Sequence, residues 1–373
     1  MKRILIDVNS IVMRRGRTHL SGIGRTTVDL LQAMSKIENL PFEIQLYFQG
    51  RNSQGLNEYN LPFPSFYLPV PHVPKYNRVI THLRLKEIFS RYDLLHIPHN
   101  YELAANPQNA VVTLHDAMFF SFPDTATPDM EKAKKIAELA VKCKGIITCS
   151  ESSKRDIVEY MNVKEDKVTV VPWGVSGNLY FPESQDNINV FKHKWNIRNP
   201  YYIMVSCDMG RKNTISLLKA FDLYLKRGGN YDLVLVWKNP PKDVLSPFQN
   251  TIEKGRIRII SHLNMDDLRT AYSGAVCSFF PSKYEGFGLP ILESMACGTP
   301  VVTCKNSSLE EVGRDMALYT EPEDVECMSQ YMFDFEIDKY TKGRNVKELE
   351  EYATQFSWEK VALGYIEFYK KYL

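Results

Sequence analysis

The stretch PSKYEGFGLPILESMACGTPVV, residues 281–302, decides how this chain folds. An apolar run, AVCSFFP (275–281), leads into it and a second, TPVVTC (299–304), leads out, so both ends read as strands. Between them Gly286 and Gly288 mark a tight loop. Pro290 suits the first turn of a helix, where its missing N–H leaves no bond unmade. That helix is predicted to run to about Cys297 and to stop at Gly298-Thr299-Pro300. Strand, glycine loop, helix and strand make one parallel β-α-β unit. The loop amides and the helix N-terminus then lie at a strand's carboxyl end, a position that favours an anion. Two carboxylates flank the loop, Glu285 within it and Glu293 one turn into the helix. A carboxylate repels a phosphate that it touches directly but accepts hydrogen bonds from neutral hydroxyls. A nucleotide sugar has hydroxyls on both sides of its diphosphate, which fits the pair. A solvated glutamate and a plain tight turn would explain a lone GxG; they do not explain the longer pattern.

The same alternation extends outward in both directions. RILIDV (3–8), EIQLYF (43–48), DLLHI (93–97), AVVTLH (110–115), GIITCS (145–150) and KVTVVP (167–172) read as strands, with helical stretches such as 24–37 and 130–144 between several of them. After Pro182 a polar stretch resembles a linker plus a short helix. The alternation then restarts with YYIMVS (201–206), DLVLVW (232–237) and RIRIIS (256–261). The expectation is two α/β domains, residues 1–183 and 184–356, each with a mostly parallel sheet covered by helices. Trp358, Val361, Ala362, Tyr365, Ile366 and Tyr369 recur at helical spacing in a closing amphipathic helix, expected over 357–373 and assigned to the first domain. The segment 61–76, rich in proline and aromatics, reads as a loop.

Composition narrows the class. The 373 residues carry 44% apolar and 24% charged side chains and a formal charge of +2, which excludes disordered, collagen-like and dedicated nucleic-acid-binding chains. Residues 1–92 hold 13 Lys and Arg against 6 Asp and Glu, a local +7 that hints at an anionic partner. Seven cysteines without a Cys-x-x-Cys pair argue against a disulfide framework or zinc ribbon and for a reducing compartment. The N-terminal apolar run, Ile4 to Ile6, is too short for a signal peptide, and no apolar stretch approaches membrane-spanning length. A cytoplasmic location is expected.

The segment EGFGLPILE (Glu285 to Glu293) resembles the Glu-x7-Glu signature of retaining GT-B glycosyltransferases, specifically family 4, group 1. The likeness covers nearly the whole chain. SGIGRTTVDLL (21–31) is similar to that family's N-terminal glycine loop, TLHDAMFFSFP (113–123) to its central histidine strand end, and GRKNTISLLKAF (210–221) to its basic loop. CSESSKRDI (149–157), VVPWGV (170–175) and SSLEEVGRD (307–315) match further segments in the expected order. The resemblance implies two Rossmann-like domains facing each other across a cleft, with the last helix crossing back to the first domain.

It also assigns residues. Gly22 and Gly24 open a helix where backbone can approach a phosphate, and the resemblance implies that Gly24 faces the donor diphosphate; a mere helix cap is the plainer reading. Arg211 and Lys212, at a strand's carboxyl end, suit a pyrophosphate leaving group. Many members carry Gly-Arg immediately after that strand, where this chain has Ser206-Cys207, so Arg211 and Lys212 are expected to carry more of the load. His115 is implied to lie near the transferred sugar, with Asp116 as cap or partner. Donor-binding residues are then Gly22, Gly24, Arg211, Lys212, Glu285, Gly286, Phe287, Gly288, Leu289 and Glu293, and catalytic ones His115, Lys212 and Glu285. His96 and His99 lack a third ligand for a metal site, and no Asp-x-Asp occurs, so no cofactor and a metal-independent mechanism are expected.

The expected activity is retaining transfer of a sugar, mannose favoured, from a nucleotide diphosphate donor, GDP-mannose favoured over a UDP-sugar. The acceptor would be a glycan or lipid-diphosphate-linked glycan in bacterial surface polysaccharide synthesis. An NAD-dependent oxidoreductase is disfavoured by the missing GxGxxG, and a catalytically silent nucleotide-sugar-binding protein by the intact candidate residues. Base selection is expected near His262 to Asn264. Peripheral contact with an anionic inner leaflet is expected through Arg14, Arg15 and Arg17 and the aromatic loop around Phe63, Phe66, Tyr67 and Tyr76.

Overall fold

The apolar runs become strands buried on both faces, which is why they read as continuous rather than alternating. The computed structural model describes residues 1–12, 20–50, 53–100, 103–122, 130–208, 210–340 and 346–373. In the first unit β1 (Arg3–Asp7), β2 (Glu43–Gln49), β3 (Ser65–Leu68), β4 (Leu94–Ile97), β5 (Ala110–Thr113), β6 (Gly145–Thr148) and β7 (Val168–Val170) form one parallel sheet in the order β3-β2-β1-β4-β5-β6-β7. In the second, β8 (Tyr201–Val205), β9 (Asp232–Val236), β10 (Ile257–Ile260), β11 (Cys277–Phe280), β12 (Val301–Cys304) and β13 (Leu318–Thr320) form a parallel sheet in the order β10-β9-β8-β11-β12-β13. The order reverses between β1 and β4 in one sheet and between β8 and β11 in the other. At such a switch the flanking loops part and leave a crevice at the strands' carboxyl ends. The doubly wound α/β fold expected from the alternation is present in both units.

The first unit comprises residues 1–174 and 358–373, the second residues 175–357. The break thus falls before Val175 rather than after Glu183, where the polar linker had placed it. Side-chain bonding explains the difference. Arg269 pairs with Glu183 (2.6 Å), the Glu183 N–H donates to Ser273 Oγ (3.1 Å) and the Tyr180 hydroxyl donates to Glu293 (2.7 Å), so residues 179–183 are tied into the second unit. The polar stretch itself forms a helix, Gln185–Lys194, capped by Ser184. The closing helix, Trp358–Tyr372, buries all six apolar residues picked out by their spacing in the core of the first unit.

Segment 61–76 is not a loop throughout. Ser65–Leu68 is the edge strand β3, and Pro74 opens a helix that runs to His82. Phe66 lies 5.0 Å from Tyr47, and Tyr67 stacks on Phe48 at 5.7 Å, so cross-strand aromatic packing outweighs the local proline content. The helix at the first glycine loop runs from Gly22 to Ser35, two residues earlier than its periodicity suggests, because Ser21 caps it. Among the described residues no helix is long and apolar enough to cross a membrane.

Candidate active site

Two loops meet at the switch point of the second sheet because the strands that carry them, β8 and β11, are neighbours. The first holds Arg211, Lys212 and Asn213. Asn213 takes a left-handed backbone (φ 59°), donates from Nδ2 to the carbonyls of Pro281 (3.1 Å) and Pro322, and so staples this loop to the end of β11. The Lys283 N–H closes the staple by donating to the Arg211 carbonyl (2.8 Å). In the second loop the Glu285 N–H donates to Ser307 Oγ (3.0 Å), and Ser308 Oγ donates to the carbonyls of Glu285 and Phe287 (both 2.9 Å). Gly288 is left-handed (φ 105°), and a Cβ there would sit 2.9 Å from Leu309 Cδ2. Glycine is required for the turn into helix Leu289–Ala296.

Glu285 is the centre of what these loops build. Its carboxylate is buried, pairs through Oε2 with Arg211, through Oε1 with Lys212 at 2.7 Å, and accepts from Ser282 Oγ at 2.7 Å. Burial alone would raise its pKa; Lys212 and then Arg211 outweigh that and hold it below the ordinary value of 4.5. Arg211 also donates to the Tyr284 carbonyl (2.8 Å), and the Lys212 ammonium lies 4.5 Å from the centre of the Phe280 ring. Two cations and one anion leave the cluster with one net positive charge, fixed in place before any ligand arrives.

Glu293 has different company. It projects from helix Leu289–Ala296 and accepts from the hydroxyls of Tyr180 (2.7 Å) and Tyr272 (3.1 Å). Burial first, and then Glu293, push the Tyr272 phenol well above its ordinary value, so it remains a donor. Phe287 is buried with its ring 6.4 Å from that of Phe356, Gly286 is buried, and Leu289 is half-buried.

In the first unit the Gly24 N–H is taken by Ser21 Oγ (3.1 Å), the plainer of the two readings of this glycine. A Cβ at Gly24 would lie 2.9 Å from the Ser10 carbonyl, whereas one at Gly22 would meet nothing within 4 Å. His115 follows β5 and is buried. Its N–H donates to Asn100 Oδ1 (3.1 Å), and its carbonyl accepts from Cys149 Sγ and Ser153 Oγ (both 3.2 Å), so the backbone is held from three sides. The ring packs 5.1 Å from Trp173, and neither ring nitrogen meets a partner at hydrogen-bonding geometry among the described residues. Burial, helped by His99, pushes its pKa down to about 3, against a nearby Pro98 carbonyl that pulls the other way; the imidazole is neutral. Asp116 Oδ1 accepts from the Met118 N–H (3.1 Å), the first N–H of the short helix Met118–Ser121. His96 spends both nitrogens, Nε2 with Thr113 (2.9 Å) and Nδ1 with Tyr369 (2.7 Å), so it is a structural tie to the closing helix. Arg14, Arg15 and Arg17 lie outside the described residues.

Comparison with known proteins places this arrangement. Residues 185–356 match the model of the glycosyl transferases group 1, and residues 20–177 that of Glycosyltransferase Family 4. Over 73% of its length the chain is 31% identical to the O-antigen chain mannosyltransferase B of Escherichia coli, covering 72% of that protein. The chain is a group 1, family 4 glycosyltransferase. Its fold is shared with Anabaena Alr3699/HepE, solved in complex with UDP-glucose (TM-score 0.76, 16% identity, 100% of each chain). It is shared also with WaaG, a glycosyltransferase involved in lipopolysaccharide biosynthesis (TM-score 0.70, 13% identity, 98% of this chain and 99% of that one). Both sheets therefore belong to a GT-B glycosyltransferase.

In this glycosyltransferase the residues expected at the donor, Arg211, Lys212 and Glu285, come together in one cluster, while Glu293 is engaged separately. Tyr180 and Tyr272 escaped sequence reasoning altogether, and Ser282, Ser307 and Trp173 fall within segments read there without being singled out. Serines and tyrosines carry no spacing signal of their own. Only Ser282, three residues before Glu285, could have been found by proximity.

Proposed function

We propose that this glycosyltransferase moves mannose from GDP-mannose to a glycan or lipid-linked glycan acceptor of bacterial surface polysaccharide synthesis, with retention of configuration and without a metal ion. The carrying observation is the cluster in which the buried Glu285 pairs with the half-buried Arg211 and Lys212. As the bond between the anomeric carbon and the diphosphate breaks, negative charge grows on the leaving group. Arg211 and Lys212 supply N–H donors to it from a site that needs no reorganisation. Glu285 stays ionised and accepts from hydroxyls of the transferred sugar, the partner that a carboxylate beside a phosphate can best serve. The acceptor hydroxyl attacks from the face the diphosphate leaves, and the departing phosphate oxygen takes its proton, so no enzymic nucleophile is assigned. His115, neutral at physiological pH, offers the sugar one hydrogen bond rather than a charge. Glu293, braced by two tyrosine hydroxyls, accepts from the ribose. Mannose is supported by the similarity to an O-antigen chain mannosyltransferase.

A thermal-shift panel of GDP, UDP, ADP and their sugars tests the donor, since a ligand specific for the folded state stabilises it by RT ln(1 + [L]/Kd). GDP should give the largest shift among the free nucleotides; a larger shift with UDP overturns the donor assignment. The anomeric configuration of the transferred sugar, read by NMR on the product, tests retention.

A further inference from the structure

The His115 side chain is a buried ring whose orientation no hydrogen bond sets. Its backbone is fixed from three sides, by Asn100, Cys149 and Ser153, yet neither ring nitrogen meets a partner among the described residues. Rotation about the Cβ–Cγ bond exchanges ring nitrogens for carbons at nearly the same positions, so such a ring is oriented by packing. The packing comes from Trp173. Its ring centre lies 5.1 Å from that of His115 with 59° between the planes, within the range of favourable tilted aromatic pairs. His115 stands two residues beyond β5 and Trp173 three beyond β7, both at the carboxyl end of the sheet, with β6 between them. Strands two places apart are separated by about 10 Å, so a long side chain is needed to reach across. The indole is half-buried and seated against the core of the first unit, which fixes its own place.

We propose that Trp173 is a positioning residue for sugar transfer: its indole sets the plane of the His115 ring, aims the ring nitrogens at the reacting sugar and keeps water off them. The proposal rests on the reading that His115 serves the transferred sugar. Screening matters because charge on the ring would oppose the reaction. The sugar gains positive character as its bond to the diphosphate breaks, and an imidazolium beside it raises the barrier. A neutral ring instead offers one N–H donor and one acceptor nitrogen. Burial, and then His99, hold the pKa of His115 at about 3. The other titratable neighbours leave that task to burial. His96 and His99 are themselves pushed down by burial, and the Cys149 thiol is pushed well above its ordinary 9 and carries no charge. The Asp116 carboxylate accepts from the Met118 N–H. Exclusion of water therefore keeps the proton off His115, and Trp173 is part of the wall that excludes it.

Trp173→Ala opens that wall. In NMR titrations the His115 signal, assigned by its loss in His115→Gln, should shift its pKa from about 3 toward the ordinary 6.5. The variant's kcat/KM should fall roughly ten-fold at about pH 8, the worth of one well-placed hydrogen bond. It should fall further in acid, through a limb between about pH 5 and 7 that the parent lacks. Trp173→Phe keeps a ring against the imidazole and should restore most of the rate and abolish the limb. If the alanine variant does not fold, Trp173→Leu, which fills much of the volume without an aromatic face, carries the same readouts. The Trp173→Ala/His115→Gln double variant should transfer no more slowly than His115→Gln alone, because the indole acts through the ring. An unmoved His115 titration in the alanine and leucine variants, or losses that add in the double variant, overturns the proposal. A His115→Gln enzyme as fast as the parent would instead remove His115 from the reaction; the NMR titration needs no turnover and reports on Trp173 independently.

Discussion

Glu285 in the second unit and His115 in the first are both buried at the carboxyl end of a parallel sheet, yet their surroundings are opposite. Glu285 is charged and already partnered: two cations and a serine hydroxyl take three of its roughly four acceptor positions. His115 is neutral and open, with two ring nitrogens that meet no partner among the described residues. The contrast follows from the cost of each state. A buried carboxylate without counter-charges would be protonated or would unfold its surroundings, so its partners must be built in. A neutral imidazole tolerates an unmade hydrogen bond at about 1–3 kcal/mol, a cost that a ligand hydroxyl can offset on binding. One site is electrostatically complete beforehand; the other is completed by what it binds.

The sharpest way to break this comparison is to remove the anion between the cations. Glu285→Gln leaves the half-buried Arg211 and Lys212 without their counter-charge and should cost about 3 kcal/mol in urea unfolding. Because the folded pKa of Glu285 lies below 4.5, its contribution is complete above that value and is lost as pH falls through the folded pKa. The gap between parent and variant should therefore close in acid. The same variant should bind GDP more tightly while transfer falls, since the cluster's net positive charge rises from one to two; unchanged GDP affinity in calorimetry would refute the assignment of these cations to the diphosphate.

Lys212→Ala should reduce transfer by roughly 10²-fold, the range for losing one preorganised donor to a developing charge. Full activity in steady-state kinetics on every working donor would dissociate the loop from catalysis.

The histidines give the next largest effect, in pH rather than in rate. His115 and His96 both have folded pKa values pushed to about 3, against an ordinary 6.5. Depressed pKa values mean that the unfolded chain binds more protons, so stability is complete above 6.5 and declines as pH falls from there toward 3. His115→Gln should flatten this decline in urea titrations without shifting the acid limb of kcat/KM between about pH 5 and 8, because a group that remains neutral there supplies no limb. A limb that disappears in His115→Gln would mean that the imidazole titrates during turnover.

Tyr272→Phe removes one of the two donors to Glu293 and should weaken GDP binding by about 1 kcal/mol, the net worth of a hydrogen bond. The smallest effect separates the two N-terminal glycines. Gly22→Ala meets open space on a helix and should be neutral or stabilising by up to about 1 kcal/mol, whereas Gly24→Ala drives a Cβ against the Ser10 carbonyl and should destabilise. A Gly22→Ala variant that melts normally but binds donor poorly would place the ligand against that glycine.

Much of this follows from the sequence alone. The β-α-β reading of residues 275–304, the stop at Gly298 and the buried stripe of the closing helix follow from local periodicity and turn chemistry, which act over a few residues. Glu285, Glu293, Arg211 and Lys212 were legible as candidates because each occupies a marked place beside a strand end. Their division into a three-charge cluster and a tyrosine-braced carboxylate was not. Arg211 and Tyr284, bonded through Nη1, stand 73 positions apart, and only the adjacency of β8 and β11 brings their loops together.

The errors have the same origin. Segment 61–76 carries prolines that locally argue for a loop, yet an edge strand forms because Tyr47 and Phe48 on β2 offer Phe66 and Tyr67 something to pack against. Residues 175–183 look like the tail of the first domain, yet the bonds made by Tyr180 and Glu183 bind them to the second. The sequence by itself determined the class of fold, the order of the elements and the types of side chain available at each strand end, since these depend on period, turn residues and composition. Tertiary structure alone decided which charges neutralise one another, which histidine is spent on the closing helix and which is left open, and which apolar residues stay uncovered at the surface. Those outcomes depend on strand order and on contacts between distant residues, and a one-dimensional pattern does not record them.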